Sequence, residues 1–304
     1  MTFMDDAARD ENIFGADEDE ESLLGDHGFP REEHRVFTSD AALSLDEAQE
    51  IASERGVTLG LLMGEVDSGK STLLVEMWTD FMTRGRIEQY VFAGSVTSLA
   101  FEKRAFLSRN ESGYAVPETP RTQGDDDGWL HLRVQDQATL TDLLLADVTG
   151  EHFRHVREGV PLETELPFIG RVDRYMVIVD GAGIGDRYRR EVTVNHATRL
   201  LRQLSLCAET SPTARIAILL TKEDRLSKAQ RIEYDTVESN LLRLAKIVDA
   251  QAVALRVAAR PHDHSDARGL EQVMAYLCLP PKNFASGSTF PVRVSSRSIG
   301  RFGA

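Results

Sequence analysis

Val57-Thr-Leu-Gly-Leu-Leu-Met63-Gly64-Glu-Val-Asp67-Ser68-Gly69-Lys70-Ser71-Thr72-Leu-Leu74 is the stretch that decides the fold. Residues 57–63 are a short apolar run of strand length, and Leu74, Met77, Trp78 and Phe81 then recur at helical spacing. Between them Gly64 to Ser71 fit G-x-x-x-x-G-K-[ST] at a strand-to-helix junction. A loop that wraps a polyphosphate must point consecutive backbone N–H groups inward, and side chains at its glycines would obstruct that approach. The helix that follows adds the positive end of its dipole. The candidate binding residues are therefore Gly64, Asp67, Ser68, Gly69, Lys70, Ser71 and Thr72, with Ser68, Gly69 and Thr72 contributing mostly backbone. Lys70 would reach the β- and γ-phosphates, and the Ser71 hydroxyl would be one ligand of an octahedral Mg²⁺.

Outward from this loop, apolar runs alternate with amphipathic segments. Strands are expected at 57–63, 90–92, 130–134, 143–146, 175–179, 215–220 and 252–257. One intervening helix carries Ala197, Leu200, Leu201, Leu204 and Cys207 on a stripe, and another starts at Ser44, with Glu47 three residues on, and ends near Gly56. Short Val/Ile/Leu runs separated by helices imply an α/β fold of three layers, a P-loop NTPase fold with a mostly parallel central sheet covered on both faces. Residues 110–129, rich in Gly, Pro and Asp, read as a long polar loop of the functional or disordered kind.

The expected domains are an acidic, disordered leader at 1–40, a single nucleotide-binding domain at 41–280 and an irregular tail at 281–304. Residues 1–33 hold twelve acidic residues against two Arg, which accounts for −10 of the net charge of −14. So biased a leader cannot bury enough surface to offset its ordering entropy. The rest of the chain is nearly balanced, which speaks against a broad nucleic-acid surface. There is no apolar run of membrane-spanning length, and the N-terminus is acidic where a signal peptide is basic, so a cytoplasmic protein is expected. Cys207 and Cys278 have no metal spacing and read as buried thiols, and His262-Asp263-His264 lacks a third ligand.

Two strand ends match D-x-x-G: Asp147 to Gly150 and Asp180 to Gly183. In GTPases the D-x-x-G strand precedes a helix, another strand and another helix before the base-recognition strand, which only Asp147 allows. Asp147 is thus the candidate to hold Mg²⁺ through water, with the Gly150 N–H on the γ-phosphate. Asp180 is assigned to the pocket rim. The second switch needs a loop hydroxyl: Thr122 is favoured and Thr119 stays open, with Arg121 beside them as a possible charge in cis. Glu151 follows Gly150 where many GTPases orient the attacking water. Thr221-Lys222-Glu223-Asp224, directly after the apolar run 216–220, fits [NT]-K-x-D. Asp224 would pair with guanine N1–H and the 2-amino group, as adenine does not allow, while the Lys222 stem lies along the base. Ala258 and Ala259 are candidates for a backbone N–H to guanine O6.

Gly64 to Leu74, Phe92-Ala-Gly-Ser-Val-Thr-Ser-Leu-Ala-Phe-Glu102, Leu130 to Val134, Asp147 to Phe153 and Thr221 to Asp224 together resemble the bacterial double-GTPase family, within the translation-factor-related class of P-loop GTPases. The narrower likeness rests mainly on Phe92 to Glu102. The resemblance implies a switch that binds and hydrolyses GTP and works with partner proteins in bacterial multi-protein systems, defence among them. Relatives there carry D-x-x-G-E as well. Two other readings stay open: a GTP-dependent scaffold with negligible turnover, and a P-loop ATPase or kinase, against which Asp224 argues.

Overall fold

The computed structural model describes residues 41–108, 128–137, 139–207, 214–261 and 265–280. The leader at 1–40, Thr119, Arg121 and Thr122, the stretch 262–264 and the tail 281–304 lie outside the described residues.

Helix α1 (Leu45–Glu54) begins as its spacing predicts. Ser44 Oγ accepts from the Glu47 N–H at 3.3 Å and the Glu47 carboxylate accepts from the Ser44 N–H at 2.7 Å, a reciprocal cap. Among the described residues eight strands form one sheet: β1 (Val57–Met63), β2 (Arg86–Ile87), β3 (Tyr90–Gly94), β4 (Gly128–Asp136), β5 (Thr139–Asp147), β6 (Arg174–Asp180), β7 (Arg215–Thr221) and β8 (Val253–Val257). Their order is β2-β3-β4-β5-β1-β6-β7-β8. From β5 to β8 all pairings are parallel, whereas β2, β3, β4 and β5 pair antiparallel. The sheet is mostly parallel, as expected, and all seven apolar runs are strands. The two-residue β2 is too short to leave a pattern, and the antiparallel half has no signature in apolar runs that are buried on both faces.

The pleat divides each central strand between two layers. Tyr175, Val177 and Val179 of β6 and Ile216, Ile218 and Leu220 of β7 face one core, which α4 (Gly150–Glu158), α5 (Leu162–Glu165), α7 (Arg190–Leu206) and α8 (Lys228–Val248) cover together with α1. Met176, Ile178, Ala217 and Leu219 face the other, under α2 (Lys70–Arg84), α3 (Ser98–Leu107) and α9 (Leu270–Leu277). A one-turn helix, α6 (Gly181–Gly185), follows β6. Cys207 is buried, but Cys278 is only half-buried, a correction to its expected burial: it caps the end of α9, next to the tail, instead of lying within the helix. Burial pushes both thiols up to about 12. No described helix is long and apolar enough to cross a membrane.

Candidate functional site

Four parallel strands end in polar turns at one edge of the sheet: β1 at Gly64, β5 at Asp147, β6 at Asp180 and β7 at Thr221. Carboxyl ends of parallel strands are where α/β sheets bind ligands. The favoured crevice lies where strand order reverses, and here that strand is β1, with β5 on one side and β6 on the other.

The loop from β1 turns back through Asp67 (φ 61°) and Gly69 (φ 100°) into α2, whose first residue is Lys70. Lys70 is 7% exposed, and its Nζ donates to the carbonyls of Gly64 at 2.8 Å and Glu65 at 3.0 Å. Its ammonium also lies 5.7 Å from the centroid of the Phe153 ring. Ser68 Oγ is buried without a hydrogen-bond partner among the described residues. A buried hydroxyl left unpaired costs about 1–3 kcal/mol, so it calls for a ligand or water inside the loop.

On one side of this loop stands the end of β5. A Cβ added to Gly150 would lie 2.8 Å from Glu65 C and Val66 Cα, and closer still to Val66 N, so only glycine lets α4 start against the loop. Thr149 caps α4, its Oγ1 accepting from the Glu151 N–H at 3.5 Å. Asp147 is 1% exposed, and its Oδ2 accepts from Arg104 Nε at 3.0 Å. The Glu151 carboxylate meets Arg154 Nη2 at 2.6 Å on the exposed face of α4. Ser71, at the start of α2, and Asp147 are hard oxygen donors of the kind Mg²⁺ takes, and no group of three His, Cys, Asp or Glu poised for a metal occurs among the described residues. The donor set fits an ion that completes its shell with phosphate and water.

On the other side stands the end of β7. Thr221 Oγ1 donates to Ser68 O at 2.8 Å and Lys222 Nζ to Asp67 O at 2.5 Å. Lys222 itself takes a left-handed conformation (φ 53°), which starts the 3-10 turn Glu223–Arg225 that carries the half-buried Asp224. Asp180, expected only at the rim, caps α6 through Ala182 N at 3.0 Å and lies 3.3 Å from Lys222 Nζ, with Arg189 Nη2 at 3.2 Å on its other oxygen. Past β8, the Ala258 N–H is committed to Arg268 O at 3.0 Å, which removes it as a base contact and leaves Ala259 of that pair. The isolated bridge between Ala258 and Arg268 is the physical reason.

Beneath the loop, Glu65 Oε1 meets Arg157 Nη1 at 2.5 Å and His196 Nδ1 at 3.3 Å, and His196 Nε2 lies 3.1 Å from Phe153 O. Burial pushes the His196 imidazole below its ordinary range, against the pull of the Glu65 carboxylate.

A family model described as Double-GTPase 2 matches residues 59–278. The chain belongs to this family. The match includes the phosphate loop, both D-x-x-G segments and the T-K-x-D turn. No curated protein matches the chain in sequence. Among solved structures it is similar to Methanosarcina barkeri Roco2 RocCORdC bound to GDP, at 13% identity and a TM-score of 0.34 over 72% of this chain and 47% of that one. It is also similar to the GTPase-like domain of S. cerevisiae Ski7 bound to GTP, at 17% identity and a TM-score of 0.41 over 71% and 46%. The chain thus spans just under half the length of each.

In this double-GTPase, sequence reasoning missed Arg104, Arg154, the Glu65–His196–Arg157 cluster and the tie from Asp180 to Lys222. Each is a contact made by tertiary packing or by a helix turn, and no motif letter marks it. The Asp-Gly pair at the end of β6 was the one available signal for the last.

Proposed function

We propose that this double-GTPase binds GTP with Mg²⁺ at the Gly64–Ser71 loop and hydrolyses it to GDP and phosphate as a molecular switch. One observation carries the reading: three motifs far apart in sequence meet on a single loop, Gly150 packing against Val66 while Thr221 and Lys222 bond to Ser68 and Asp67. A plain structural turn between β1 and α2 would have no need of this convergence.

In this reading Lys70 exchanges the Gly64 and Glu65 carbonyls for β- and γ-phosphate oxygens, while the loop N–H groups and the α2 N-terminus hold the remaining oxygens. Ser71 and Asp147 would hold Mg²⁺, and Thr122 or Thr119 is the switch threonine that the sequence offers beside them. Bound there, the ion would offset the negative charge that develops in phosphoryl transfer. The Gly150 N–H meets the γ-phosphate and so couples α4 to its presence. Lys222 lies along the guanine with Asp180 as its counter-ion, Asp224 accepts from the base edge, and the Ala259 N–H faces O6. Arg121 is a further source of charge in cis.

Turnover is slow in the isolated protein, because Glu151, next to Gly150, is engaged by Arg154 and faces solvent instead of orienting water. That same ion pair favours a second reading, a GTP-dependent scaffold with negligible hydrolysis. The nucleotide state is read by a partner protein in the bacterial cytoplasm, a role that rests on the family resemblance. Competition of unlabelled GTP and ATP against a fluorescent guanine nucleotide tests the core of the proposal. GTP should displace the probe with Mg²⁺ present and ATP should not, and equal displacement would overturn it in favour of an ATPase.

A further inference from the structure

The segment between α2 and β4 brings an arginine to the phosphate edge that no motif announces. Arg104 of α3 donates from Nε to Asp147 Oδ2 at 3.0 Å and from Nη1 to Ala100 O at 3.2 Å. The helix that carries it is braced. Phe101 stacks on Trp78 of α2 with centroids 4.8 Å apart and planes 5° from parallel, and Trp78 Nε1 donates to Glu102 at 2.7 Å. Ala100, Phe101 and Ala105 are fully buried. The approach to α3 is clamped on β4: Ser95 Oγ donates to His131 O at 2.6 Å, the His131 N–H donates to Thr97 Oγ1 at 2.9 Å, and the Val96 N–H donates to His131 Nδ1 at 3.2 Å. That ring is held in turn by Asp142, 2.8 Å from Nε2. A guanidinium is therefore delivered by a fixed platform to a carboxylate almost wholly removed from water, where a charge persists only when paired.

We propose that Arg104 is a cation built into the nucleotide site: it neutralises Asp147 while the divalent metal is absent, so that the bare carboxylate does not repel the phosphates, and gives Asp147 up when the metal takes it. The inference rests on the nucleotide reading above. One carboxylate faces two cations, so metal and guanidinium compete for it, and whichever holds it removes its repulsion of a bound polyphosphate. Arg104 thus makes nucleotide binding less dependent on metal than Ser71 and Asp147 alone would.

The test is the affinity for a fluorescent GDP analogue with Mg²⁺ and with EDTA, and the readout is the ratio of the two dissociation constants. In Arg104→Ala the ratio should rise at least about fivefold, the lower end of ordinary couplings between two ligands, with the loss concentrated in EDTA. Arg104→Lys, which keeps the charge, should stay near the parent. If Arg104→Ala fails to fold, Arg104→Gln, which keeps a donor without the charge, carries the same comparison. A parental ratio in the neutral variant overturns the inference alone. Absence of Mg²⁺-dependent guanine-nucleotide binding in the parent overturns the nucleotide reading and this inference with it.

Discussion

Gly150→Ala probes the contact on which the site depends. The added methyl would lie 2.8 Å from Glu65 C and Val66 Cα. Ordinary separations are about 3.5–4 Å, so the α4 start and the phosphate loop must part by roughly 1 Å. The obstructing atoms are main chain, so no side chain can rotate out of the way. Overpacking of this kind costs about 1–3 kcal/mol of stability. The loop is tied to β7 by the 2.8 Å bond from Thr221 to Ser68 and the 2.5 Å bond from Lys222 to Asp67, so a displacement distorts the loop instead of translating it. Losing one charge-assisted bond to a phosphate removes about 1.5–3 kcal/mol, so guanine-nucleotide affinity should fall by about tenfold or more. Fluorescent GDP titration reports the affinity and urea denaturation the stability. Gly56→Ala, with nothing within 4 Å of its added Cβ, is the control and should change neither. Parental affinity together with a parental urea midpoint in Gly150→Ala would show that Gly150 does not abut the loop, and the convergence argument would fail.

Asp224→Asn should weaken GTP by about 1.5–3 kcal/mol and favour xanthine nucleotides, whose extra carbonyl wants a donor there; unchanged GTP and XTP competition would remove Asp224 as base reader. Glu151→Gln should raise single-turnover hydrolysis several-fold with GTP affinity unchanged, because it releases the side chain from Arg154, an exposed pair worth at most about 1 kcal/mol, and leaves a neutral amide able to orient water. A parental rate would leave Glu151 without a role in the reaction. Asp142→Asn tests a pH dependence. Burial alone would raise the Asp142 carboxyl, but hydrogen bonds from His131 and Arg133 outweigh it and hold it below the usual range. Such a carboxylate adds stability above its unfolded pKa of about 4, and that stability is lost as pH falls through the lower folded value. The variant should therefore lose on the order of 3 kcal/mol at neutral pH and show a flatter acid limb in urea midpoints, and an unchanged limb would refute the assignment.

The parts of this fold that could be read from the sequence are those governed by local periodicity. Residues 57–63 and 215–220 are strands because buried parallel strands are continuous apolar runs, and Leu74, Met77, Trp78 and Phe81 share a buried helix face. Ser44 and Glu47 announced α1 through the cap they form. What could not be read depends on pairing across long separations. The antiparallel placement of β3 beside β4 follows from register, not composition, and Arg104 meets Asp147 across 43 positions. Asp147 and Asp180 were separated by counting strands. The structure ends β5 at Asp147 on one side of β1 and β6 at Asp180, next to Lys222, on the other.

The spacing of contacts along α4 explains how such a site could transmit its state. Gly150, Phe153 and Arg157 recur at i, i+3 and i+7 and so share one helix face. Gly150 abuts Val66, Phe153 lies under the Lys70 ammonium, and Arg157 pairs with Glu65. The helix therefore lies along the loop and touches it at three points, which favours a response of the whole helix to the γ-phosphate over a fraying of its first turn. A change at Gly150 must be accommodated by moving α4 as a unit, and that movement is opposed by His196 of α7, which bonds both to Phe153 O and to Glu65. Packed elements of this kind move between discrete arrangements instead of deforming smoothly. On the adjoining face of α4, Glu151, Arg154 and Glu158 are joined in one series of exposed charge pairs that any such movement would carry along. The ion pair that engages Glu151 thus sits on a surface that would change position if the loop did.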